Sequence, residues 1–479
     1  MSPGISRREF TRRLATAASG TAVVGMQPSC TTLQANPSKG QQLRNDLATL
    51  RGELLTDEAS RQAAAVDFGR MVHRLPIAVL KPASVQDVVE LVRYASPRGI
   101  KLAMRGNGNS MLGQAQSQDG VVIDSSTLNS VRMVDVRGRP AVEAGPGALW
   151  GAVYDAAYAR KLRVPVTVPH FLSVGGTIST GGFHASTWSE GFQVDHVLEL
   201  QVVTGHGQLI TCSEDSNRSL FDAMLAGMGQ CGIIVKVVMA LAPAPTHVLS
   251  FTLSYAHWQA AVADLTLLVH DGRFDEVDGN TRERQGGGVA VNLVCGAFYN
   301  APEVPSESRL LANLAFSSQS ASTMNYPEYC RRIRLGQASL PQPWLHVCLP
   351  ATRATEYGSR VIATPAEFAF SNLLFSVWRT SRIKRPLARV PTEELAVRFQ
   401  LQRRPPASFT DIDSLLEMNR VLYERARNLG GTRLTTTAIP FSQQDWVRHY
   451  GPAWASFQDA KHQFDPNNIL TPGQGMFLG

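Results

Sequence analysis

Three glycine-rich segments between residues 105 and 232 constrain the fold of this 479-residue chain more than any other feature. They read Arg105-Gly-Asn-Gly-Asn-Ser110, Ser173-Val-Gly-Gly-Thr-Ile-Ser-Thr-Gly-Gly182 and Gly227-Met-Gly-Gln-Cys-Gly232. Glycine leaves backbone N–H groups uncovered, and successive uncovered groups can bind an anion. One such loop alone is equally consistent with a plain turn. Three loops in one region predict a site for a flat or phosphate-bearing ligand.

The third segment matches the pattern GxGxxG, but its surroundings argue against a nicotinamide-nucleotide site. That use of the pattern requires a strand before the glycines and a helix after them. Here a helix is predicted at 217–226 and an apolar strand at 233–241, so the order is reversed. A Rossmann-type fold is therefore excluded, although a nucleotide packed against this turn by another route is not.

Hydrophobic patterning predicts alternating strands and helices. Leu75 to Leu80 is an apolar run typical of a strand, and Ser84 with Asp87 has the spacing of a capping box at a helix start. A strand at 100–104 would complete a strand–helix–strand layer. Further strands are predicted at 120–124, 131–136, 197–204, 208–211, 289–294 and 345–349, with helices at 149–160 and from residue 446.

Composition limits the class of protein. Hydrophobic residues make up 44% and charged residues 18%, which is typical of a globular chain. The net charge of +7 is spread along the chain without interleaved aromatics, so a solvated basic surface is favoured and no nucleic acid is expected as a partner. No Cys or His motif has metal-ligand spacing, so no metal is expected either.

The N-terminus has the pattern of an export signal. Arg7-Arg-Glu-Phe10 precedes a mild apolar stretch at 14–26, which is too short and too weakly apolar to span a bilayer, so no transmembrane segment is expected. The pattern resembles a twin-arginine signal peptide over residues 1–35 and predicts a periplasmic or secreted protein. An ordinary basic amphipathic helix is the alternative. Lipid attachment at Cys30 is a further alternative that its preceding residues do not favour.

Four motifs, in this order, carry a resemblance to a known family. They read Arg105-Gly-Asn-Gly-Asn-Ser110, Val174-Gly-Gly-Thr-Ile-Ser179, Pro343-Trp-Leu345 and Phe464-Asp-Pro-Asn-Asn-Ile-Leu-Thr-Pro-Gly-Gln474. From about residue 75 onward the chain resembles cytokinin dehydrogenase. More broadly, it resembles the flavoproteins of the vanillyl-alcohol-oxidase and p-cresol-methylhydroxylase type.

The resemblance implies an α+β fold with a two-segment FAD-binding domain of the p-cresol-methylhydroxylase type. The two segments would be residues 45–245 and 435–479, and a substrate domain of antiparallel sheet plus helices would be inserted at 246–434. Pro243 and Pro245 agree with a boundary near that point. FAD would lie between the domains, with its diphosphate on the first two glycine-rich segments.

The resemblance also implies which residues hold FAD. Ser110 and Gln114 would contact it from the first segment, and Gln474 would reach it from the C-terminal segment. Ile234 would meet its adenine side. The expected cofactor-binding residues are Arg105, Gly106, Asn107, Gly108, Asn109, Ser110, Gln114, Ser173, Gly176, Thr177, Ser179, Gly182, Gly232, Ile234 and Gln474.

One departure from the family concerns the attachment of the flavin. Asn109 stands where the family has a histidine joined covalently to the flavin. An amide nitrogen is not a competent nucleophile, and the second glycine-rich segment contains no cysteine for the alternative link. FAD is therefore expected to be non-covalent, and the resemblance implies that such a flavin is a weaker oxidant.

A second departure concerns catalysis. Val168 stands six residues before Val174, where the family has the aspartate that takes a proton from the substrate. His170 is a candidate replacement because an imidazole titrates near neutral pH, with a structural histidine as the alternative. Asp278 falls where the family has a glutamate that holds the substrate, and a turn aspartate is its alternative. His184 is a further residue that could face the flavin ring.

These residues predict an FAD-dependent oxidoreductase that oxidises a small amine or alcohol by hydride transfer, with oxygen or another molecule as electron acceptor. The alternative is a catalytically impaired, flavin- or ligand-binding relative. The two departures favour this alternative, whereas the intact glycine-rich segments argue against it.

Overall fold

The computed structural model describes residues 37–283, 288–333 and 338–477. Within these ranges the helices are α1 (Pro37–Asp46), α2 (Glu58–Ala64), α3 (Val85–Ala95), α4 (Trp150–Tyr158), α5 (Val174–Thr180), α6 (Thr187–Glu190), α7 (Arg218–Met224), α8 (Trp258–Asp271), α9 (Glu307–Leu310), α10 (Tyr326–Cys330), α11 (Ala351–Ala363), α12 (Pro365–Phe368), α13 (Ile412–Asn428), α14 (Gln443–Tyr450) and α15 (Trp454–Phe464). The strands are β1 (Glu53–Leu55), β2 (Ala78–Lys81), β3 (Leu102–Arg105), β4 (Val121–Asp124), β5 (Val131–Val136), β6 (Arg139–Ala144), β7 (Leu162–Arg163), β8 (Val197–Val203), β9 (Leu209–Ser213), β10 (Ile233–Ala240), β11 (Ala242–Pro243), β12 (His247–Tyr255), β13 (Glu276–Glu283), β14 (Val289–Tyr299), β15 (Ser318–Asn325), β16 (Leu345–Pro350), β17 (Ser371–Arg379), β18 (Leu395–Arg403) and β19 (Thr432–Arg433). The α+β class is confirmed, while the predicted signal at 1–35 and Cys30 lie outside the described residues.

The first sheet has the strand order β1-β2-β4-β3, in which β2 and β3 run parallel to β4. Helix α3 connects β2 to β3 and begins with the predicted capping box of Ser84 and Asp87. The Asp87 carboxylate accepts hydrogen bonds from the backbone N–H groups of Ala83 and Ser84, at 2.7 and 3.1 Å. The strand–helix–strand layer expected from the sequence is therefore present.

A second, antiparallel sheet has the order β5-β6-β10-β8-β9. The predicted hairpin is formed by β8 and β9. Leu200 of β8 lies opposite Val237 of β10, and both side chains are buried in a core that also includes residues of α4 and α7. Apolar burial on this scale is the main stabilising contribution to such a layer.

The second glycine-rich segment forms helix α5, so its interpretation as a loop is wrong. Gly175 lies against Pro146, and a Cβ atom at that position would come within 2.7 Å of the proline Cβ. Ile178 is fully buried in the same core. Packing against β10 and the Pro146 turn therefore outweighs the low helix propensity of two successive glycines.

The third glycine-rich segment lies between α7 and β10, in the order that the sequence predicts. Met228 and Gly229 both have positive φ angles, of 56° and 71°. The turn therefore uses the conformational freedom of glycine without the strand–helix arrangement of a Rossmann site.

The third sheet is antiparallel, with the strand order β15-β12-β14-β13-β17-β18-β16-β19. One of its faces packs against helices α8, α11 and α13. On β18 the side chains of Val397, Phe399 and Leu401 point into that core. Because side chains alternate along a strand, Arg398 and Gln400 point to the opposite face. Part of this second face carries polar side chains and lies opposite the glycine-rich part of the chain across a cavity, while Trp378 and Ala396 on the same face belong to the core below the second sheet.

The C-terminal segment returns to the first sheet. Leu102 of β3 pairs with Leu470 in a parallel bridge, and the Leu102 N–H donates to the Ile469 carbonyl at 2.8 Å. This return agrees with a two-segment arrangement, while the boundaries at 45–245, 246–434 and 435–479 stay predictions. Among the residues that the structure describes, no helix is long and apolar enough to cross a membrane. The same residues contain no group of three or more His, Cys, Asp or Glu side chains arranged to hold a metal.

Candidate active site

A cavity of about 460 Å³ lies between the glycine-rich segments and the polar face of the third sheet. On one side it is lined by residues of 106–114, 173–182 and 228–234, which we call the glycine wall. On the other side it is lined by strand residues, which we call the sheet wall: Asp278, His346, Leu374, Arg398, Gln400 and Gln402. The cavity therefore joins two parts of the chain with very different chemistry.

Most of the residues expected from the sequence line this cavity. Those that do are Gly106, Asn107, Gly108, Asn109, Ser110, Gln114, Ser173, Gly176, Thr177, Ser179, Gly182, Gly232, Ile234, Gln474 and Asp278. Arg105 and His170 are not among the lining residues. The structure thus brings the expected cofactor residues other than Arg105 together with Asp278 but does not bring His170 to the same surface.

The first glycine-rich segment is held in place by Asp67. The Asp67 carboxylate accepts from the Gly113 N–H at 2.7 Å and from the Ser110 hydroxyl at 2.9 Å. Burial raises the pKa of this carboxyl above its usual value. The single hydroxyl proton of Ser110 is donated to Asp67 in this structure, while Ser110 also lines the cavity, so its contact with a ligand stays a prediction.

Arg105 supports this segment from behind. Its Nη1 donates to the Val66 carbonyl at 2.7 Å, and burial lowers the pKa of its guanidinium. Gly108 lies directly against it, because a Cβ atom there would come within 2.4 Å of Arg105 Nη2. Arg105 therefore acts on the shape of the segment and has no surface on the cavity.

The first and second segments approach each other closely at Gly106. A Cβ atom at this position would lie 2.0 Å from Ser173 Oγ. Thr177, one turn further along α5, donates to the Val174 carbonyl at 3.2 Å and accepts from Trp150 Nε1 at 2.8 Å. The Thr177 hydroxyl therefore fixes the helix, although the residue lines the cavity.

The C-terminal turn closes the glycine wall. Arg74 Nη1 donates to the carbonyls of Gly113 and Gly473, at 3.0 and 3.2 Å, and so joins this turn to the first segment. Gln474 follows, and its buried Nε2 has no hydrogen-bond partner among the described residues. A buried amide donor of this kind is an available contact for a bound group.

The sheet wall is centred on a buried ion pair. Arg398 Nη2 contacts Asp278 Oδ1 and Oδ2, at 2.9 and 3.1 Å. The Arg398 side chain is 4% exposed. Such a pair fixes both groups in one arrangement, because separating them would leave a buried charge without a partner.

Two histidines line the cavity. His346 is on β16, and its Nδ1 lies 2.8 Å from the Thr436 hydroxyl while its Nε2 is buried without a hydrogen-bond partner among the described residues. Burial and the nearby Arg398 hold the pKa of His346 well below its usual value. His184 follows the glycine wall and is half-buried, and burial lowers its pKa despite the carboxylates of Asp278 and Glu276. Both rings are therefore neutral at neutral pH.

The expected position of the base is apolar. Val168 is 3% exposed and lines the cavity. The ring of His170, two residues further, packs edge-on against Phe171 with centroids 5.5 Å apart. The His170 carbonyl accepts from the Gly151 N–H at 2.8 Å, so this stretch is held against helix α4.

Glu276 forms a buried polar cluster directly behind Val168. It accepts from the Thr167 hydroxyl at 2.9 Å and from the Tyr329 hydroxyl and Arg332 Nη2, both at 2.8 Å. Burial alone would raise the pKa of Glu276, but Arg332 and these hydrogen bonds hold it below its usual value. Glu276 is therefore an ionised, fully engaged carboxylate.

The sequence analysis missed several residues of the site: Asp67, Arg398, Gln400, Gln402 and His346. A signal for three of them was present. In Leu395–Arg403 polar residues alternate with apolar ones, at Arg398, Gln400 and Gln402. This alternation predicts a strand with one polar, functional face.

The glycine wall fits FAD by an observation independent of any family. Gly106 and Gly473 permit close backbone approaches that any side chain would prevent. Gly106 lines the cavity, so its close approach leaves backbone groups where a diphosphate could be bound. The unpartnered Gln474 amide adds a donor on the same surface. The residues present therefore suit a flat, phosphate-bearing cofactor.

Comparisons with known proteins agree with this geometry. The sequence pattern of the FAD binding domain family matches residues 76–213, and that of the family described as "Cytokinin dehydrogenase 1, FAD and cytokinin binding" matches residues 321–477. An uncharacterised oxidoreductase of the fasciation locus in Rhodococcoides fascians is 33% identical, covering 88% of this chain and 98% of the relative. Cytokinin dehydrogenase 1 of Oryza sativa subsp. japonica is 32% identical, covering 90% and 92%.

A solved structure supports the fold. The crystal structure of 6-hydroxy-D-nicotine oxidase from Arthrobacter nicotinovorans matches with a TM-score of 0.70 at 20% identity, covering 88% of this chain and 96% of that chain. At this identity the match shows the fold alone. The two sequence relatives cover 88% and 90% of this chain. FAD is therefore the cofactor of this enzyme, and the chain belongs to the cytokinin dehydrogenase family of FAD-dependent oxidoreductases.

Proposed function

We propose that the protein oxidises a small amine or alcohol by hydride transfer to FAD that it holds without a covalent bond. The observation that carries this proposal is the cavity in which the glycine wall faces the Asp278–Arg398 pair. When bound, FAD supplies a two-electron acceptor. Asp278 would hold the substrate at the sheet wall, and Arg398 would keep the Asp278 carboxylate in its orientation.

The residues around the first glycine-rich segment support non-covalent attachment. Asn109 lines the cavity and carries no nucleophilic nitrogen. Of the described cysteines, all five are buried and none lines the cavity. The proposed contacts to FAD come from the lining residues of the glycine wall and from Gln474.

The attachment is tested by the visible spectrum of the purified protein before and after acid precipitation. Flavin absorbance that moves to the supernatant supports a dissociable cofactor. Yellow colour that stays in the pellet would overturn the proposal, since it would require a covalent bond to another residue.

The activity is tested by anaerobic addition of candidate substrates to the purified enzyme. We expect bleaching of the flavin by at least one member of a panel of cytokinins, other secondary amines and alcohols. A holoenzyme that none of them reduces, although dithionite does, would favour the second candidate, a catalytically impaired flavin-binding relative. The observation in favour of this candidate is Val168 in the cavity lining.

We also propose export by a twin-arginine route, on the basis of Arg7 and Arg8 and the mild apolar stretch that follows. Replacement of both arginines by lysine, with a reporter of periplasmic location, tests this. Export that is unchanged in the double variant would contradict it.

A further inference from the structure

We propose that His184 accepts the proton that the substrate releases from its N–H or O–H group. This inference rests on the proposed oxidation of an amine or alcohol and assigns the group that replaces the missing base at Val168. It differs from the sequence-based candidate, His170, which has no surface on the cavity lining.

The backbone places His184 beside Asp278. The Val277 N–H donates to the Ala185 carbonyl at 3.1 Å, so the neighbouring residues His184 and Asp278 lie next to each other across this bond. The His184 N–H donates to the Thr187 hydroxyl at 3.0 Å, which anchors the same turn at the start of α6. His184 is therefore held by main-chain contacts on both sides.

The ring of His184 is open to the cavity. The residue is half-buried and is part of the cavity lining. Its Nδ1 is buried without a hydrogen-bond partner among the described residues, so we assign the proton acceptance to Nε2. His346 differs in this respect, because it is 1% exposed and its Nε2 is buried.

The charged groups around His184 favour acceptance of a proton. Asp278 and Glu276 attract a protonated ring, while Arg332 and Arg398 oppose it. Burial lowers the pKa of His184, so the resting ring is neutral and has a lone pair available. The two carboxylates then stabilise the imidazolium that forms. Among the described residues, the charged group that acts on His346 is Arg398, and it opposes protonation.

The other groups near the reacting position are less suited. Asp278 binds Arg398 through both carboxylate oxygens. Glu276 already accepts three hydrogen bonds. Val168 has no proton acceptor in its side chain. Among the described residues of this part of the cavity, His184 is the neutral acceptor with accessible surface.

The proposed step balances in atoms and electrons. The substrate C–H bond breaks, and its electron pair leaves as a hydride equivalent to the enzyme's FAD. The N–H or O–H bond breaks, its electron pair forms the new C=N or C=O bond, and its proton goes to His184 Nε2. The product is an imine or a carbonyl compound, and water later removes the proton from the ring.

A matched pair of variants, His184→Ala and His346→Ala, tests the proposal in the FAD-loaded enzyme. With a cytokinin or another amine that bleaches the wild-type flavin, we expect His184→Ala to lower kcat by at least about 100-fold, the usual contribution of a general base. Its pH profile should lose the fall in kcat/KM on the acidic side, and added imidazole should restore part of the rate. His346→Ala should keep the acidic limb and show no rescue.

A second measurement needs no substrate. In ¹⁵N-labelled holoenzyme the side-chain signals of His184 are identified by their loss in His184→Ala, and its ring is titrated by NMR. We expect a neutral ring at pH 7 that protonates on acidification, and Asp278→Asn should shift this titration to lower pH. A ring protonated at pH 7, or a titration unaffected by Asp278→Asn, would overturn the proposal.

The two measurements separate this proposal from the function on which it rests. If no amine or alcohol bleaches the wild-type flavin, the proposed function fails, and the His184 titration alone decides whether a proton acceptor is present. If the wild type is active but His184→Ala retains both its rate and the acidic limb, the assignment of His184 is wrong while the function stands.

Discussion

The two walls of the cavity are built in different ways. The glycine wall uses close backbone approaches, as at Gly106 against Ser173, and its side chains mostly fix the wall itself. The sheet wall uses side chains that project from every second residue of antiparallel strands, with Arg398 and Asp278 at its centre. A backbone-built surface tolerates few substitutions, whereas a side-chain surface can change one residue at a time. Under the proposed function, cofactor and substrate specificity would thus be encoded in different parts of the chain.

The largest effect on FAD binding is expected at Gly473, in the C-terminal turn that closes the glycine wall. A Cβ atom there would lie 2.1 Å from the Gly113 carbonyl oxygen, so Gly473→Ala must separate the C-terminal turn from the first segment. Overpacking of this kind costs about 1–3 kcal/mol, and we expect FAD binding about 10- to 100-fold weaker, measured by flavin titration of the apoprotein.

Gly475→Ala is the matched control, because Gly475 has a φ of 55° and no atom within 4 Å of a built Cβ. It should lower stability through backbone strain of about 1 kcal/mol and leave FAD affinity unchanged. Equal losses of FAD affinity in both variants would show that the close approach is not what matters.

The next effect is expected at the sheet wall. Asp278→Asn leaves Arg398 buried without its carboxylate, which should lower the free energy of unfolding by about 3 kcal/mol in denaturant titrations. FAD content should stay near that of the wild type. Asp215→Asn is the control, since the Arg137–Asp215 pair is 85% and 73% exposed and should give no measurable change. A stable Asp278→Asn variant would mean that the pair does not organise this wall.

The sheet wall should also respond to pH. The pKa of His346 is held well below its usual value by burial and Arg398, so the unfolded chain takes up a proton below about pH 6.5 that the folded chain does not. This contribution to stability is complete above that pH and is lost as pH falls, with a slope of at most about 1.4 kcal/mol per pH unit. His346→Gln should flatten the fall in melting temperature between pH 7.5 and 5.5. The exposed His73→Gln variant should not, and an unchanged slope in His346→Gln would contradict the burial of its ring.

The smallest effect concerns Ser110. Its hydroxyl donates to Asp67, so Ser110→Ala should lower stability by about 1 kcal/mol through the lost hydrogen bond. FAD affinity should change little, because the hydroxyl already donates its proton to Asp67. A large loss of FAD affinity without a change in stability would instead support the direct contact between Ser110 and the cofactor that the family resemblance implies.

Most of the fold was predictable because local signals agreed with the tertiary structure. The capping box at Ser84 and the hairpin of 197–211 are both found. Helix α5 was missed, since its two glycines disfavour a helix and contacts with distant residues, such as those of Ile178 and Gly175, stabilise it. Such stabilisation comes from distant residues that a local pattern does not contain.

The site was predictable to different extents on its two sides. The residues of the glycine wall were identified by their motifs, whereas Arg398 was missed although the strand alternation pointed to its face. The hydrogen bonds that the hydroxyls of Ser110 and Thr177 make with Asp67 and Trp150 were not predictable from the motifs. Which partner a hydroxyl selects depends on groups far away in the sequence.

The pairing of Leu102 with Leu470 has a consequence for synthesis of the protein. The C-terminal turn closes the glycine wall only after Leu470 has paired with β3. The strands of the first two sheets, however, already end at Ala240. At about 5–20 residues per second, the ribosome needs roughly ten to fifty seconds to add the intervening stretch. The growing chain therefore carries an unfinished flavin pocket throughout that interval, and capture of the cofactor is among the final events in making the enzyme.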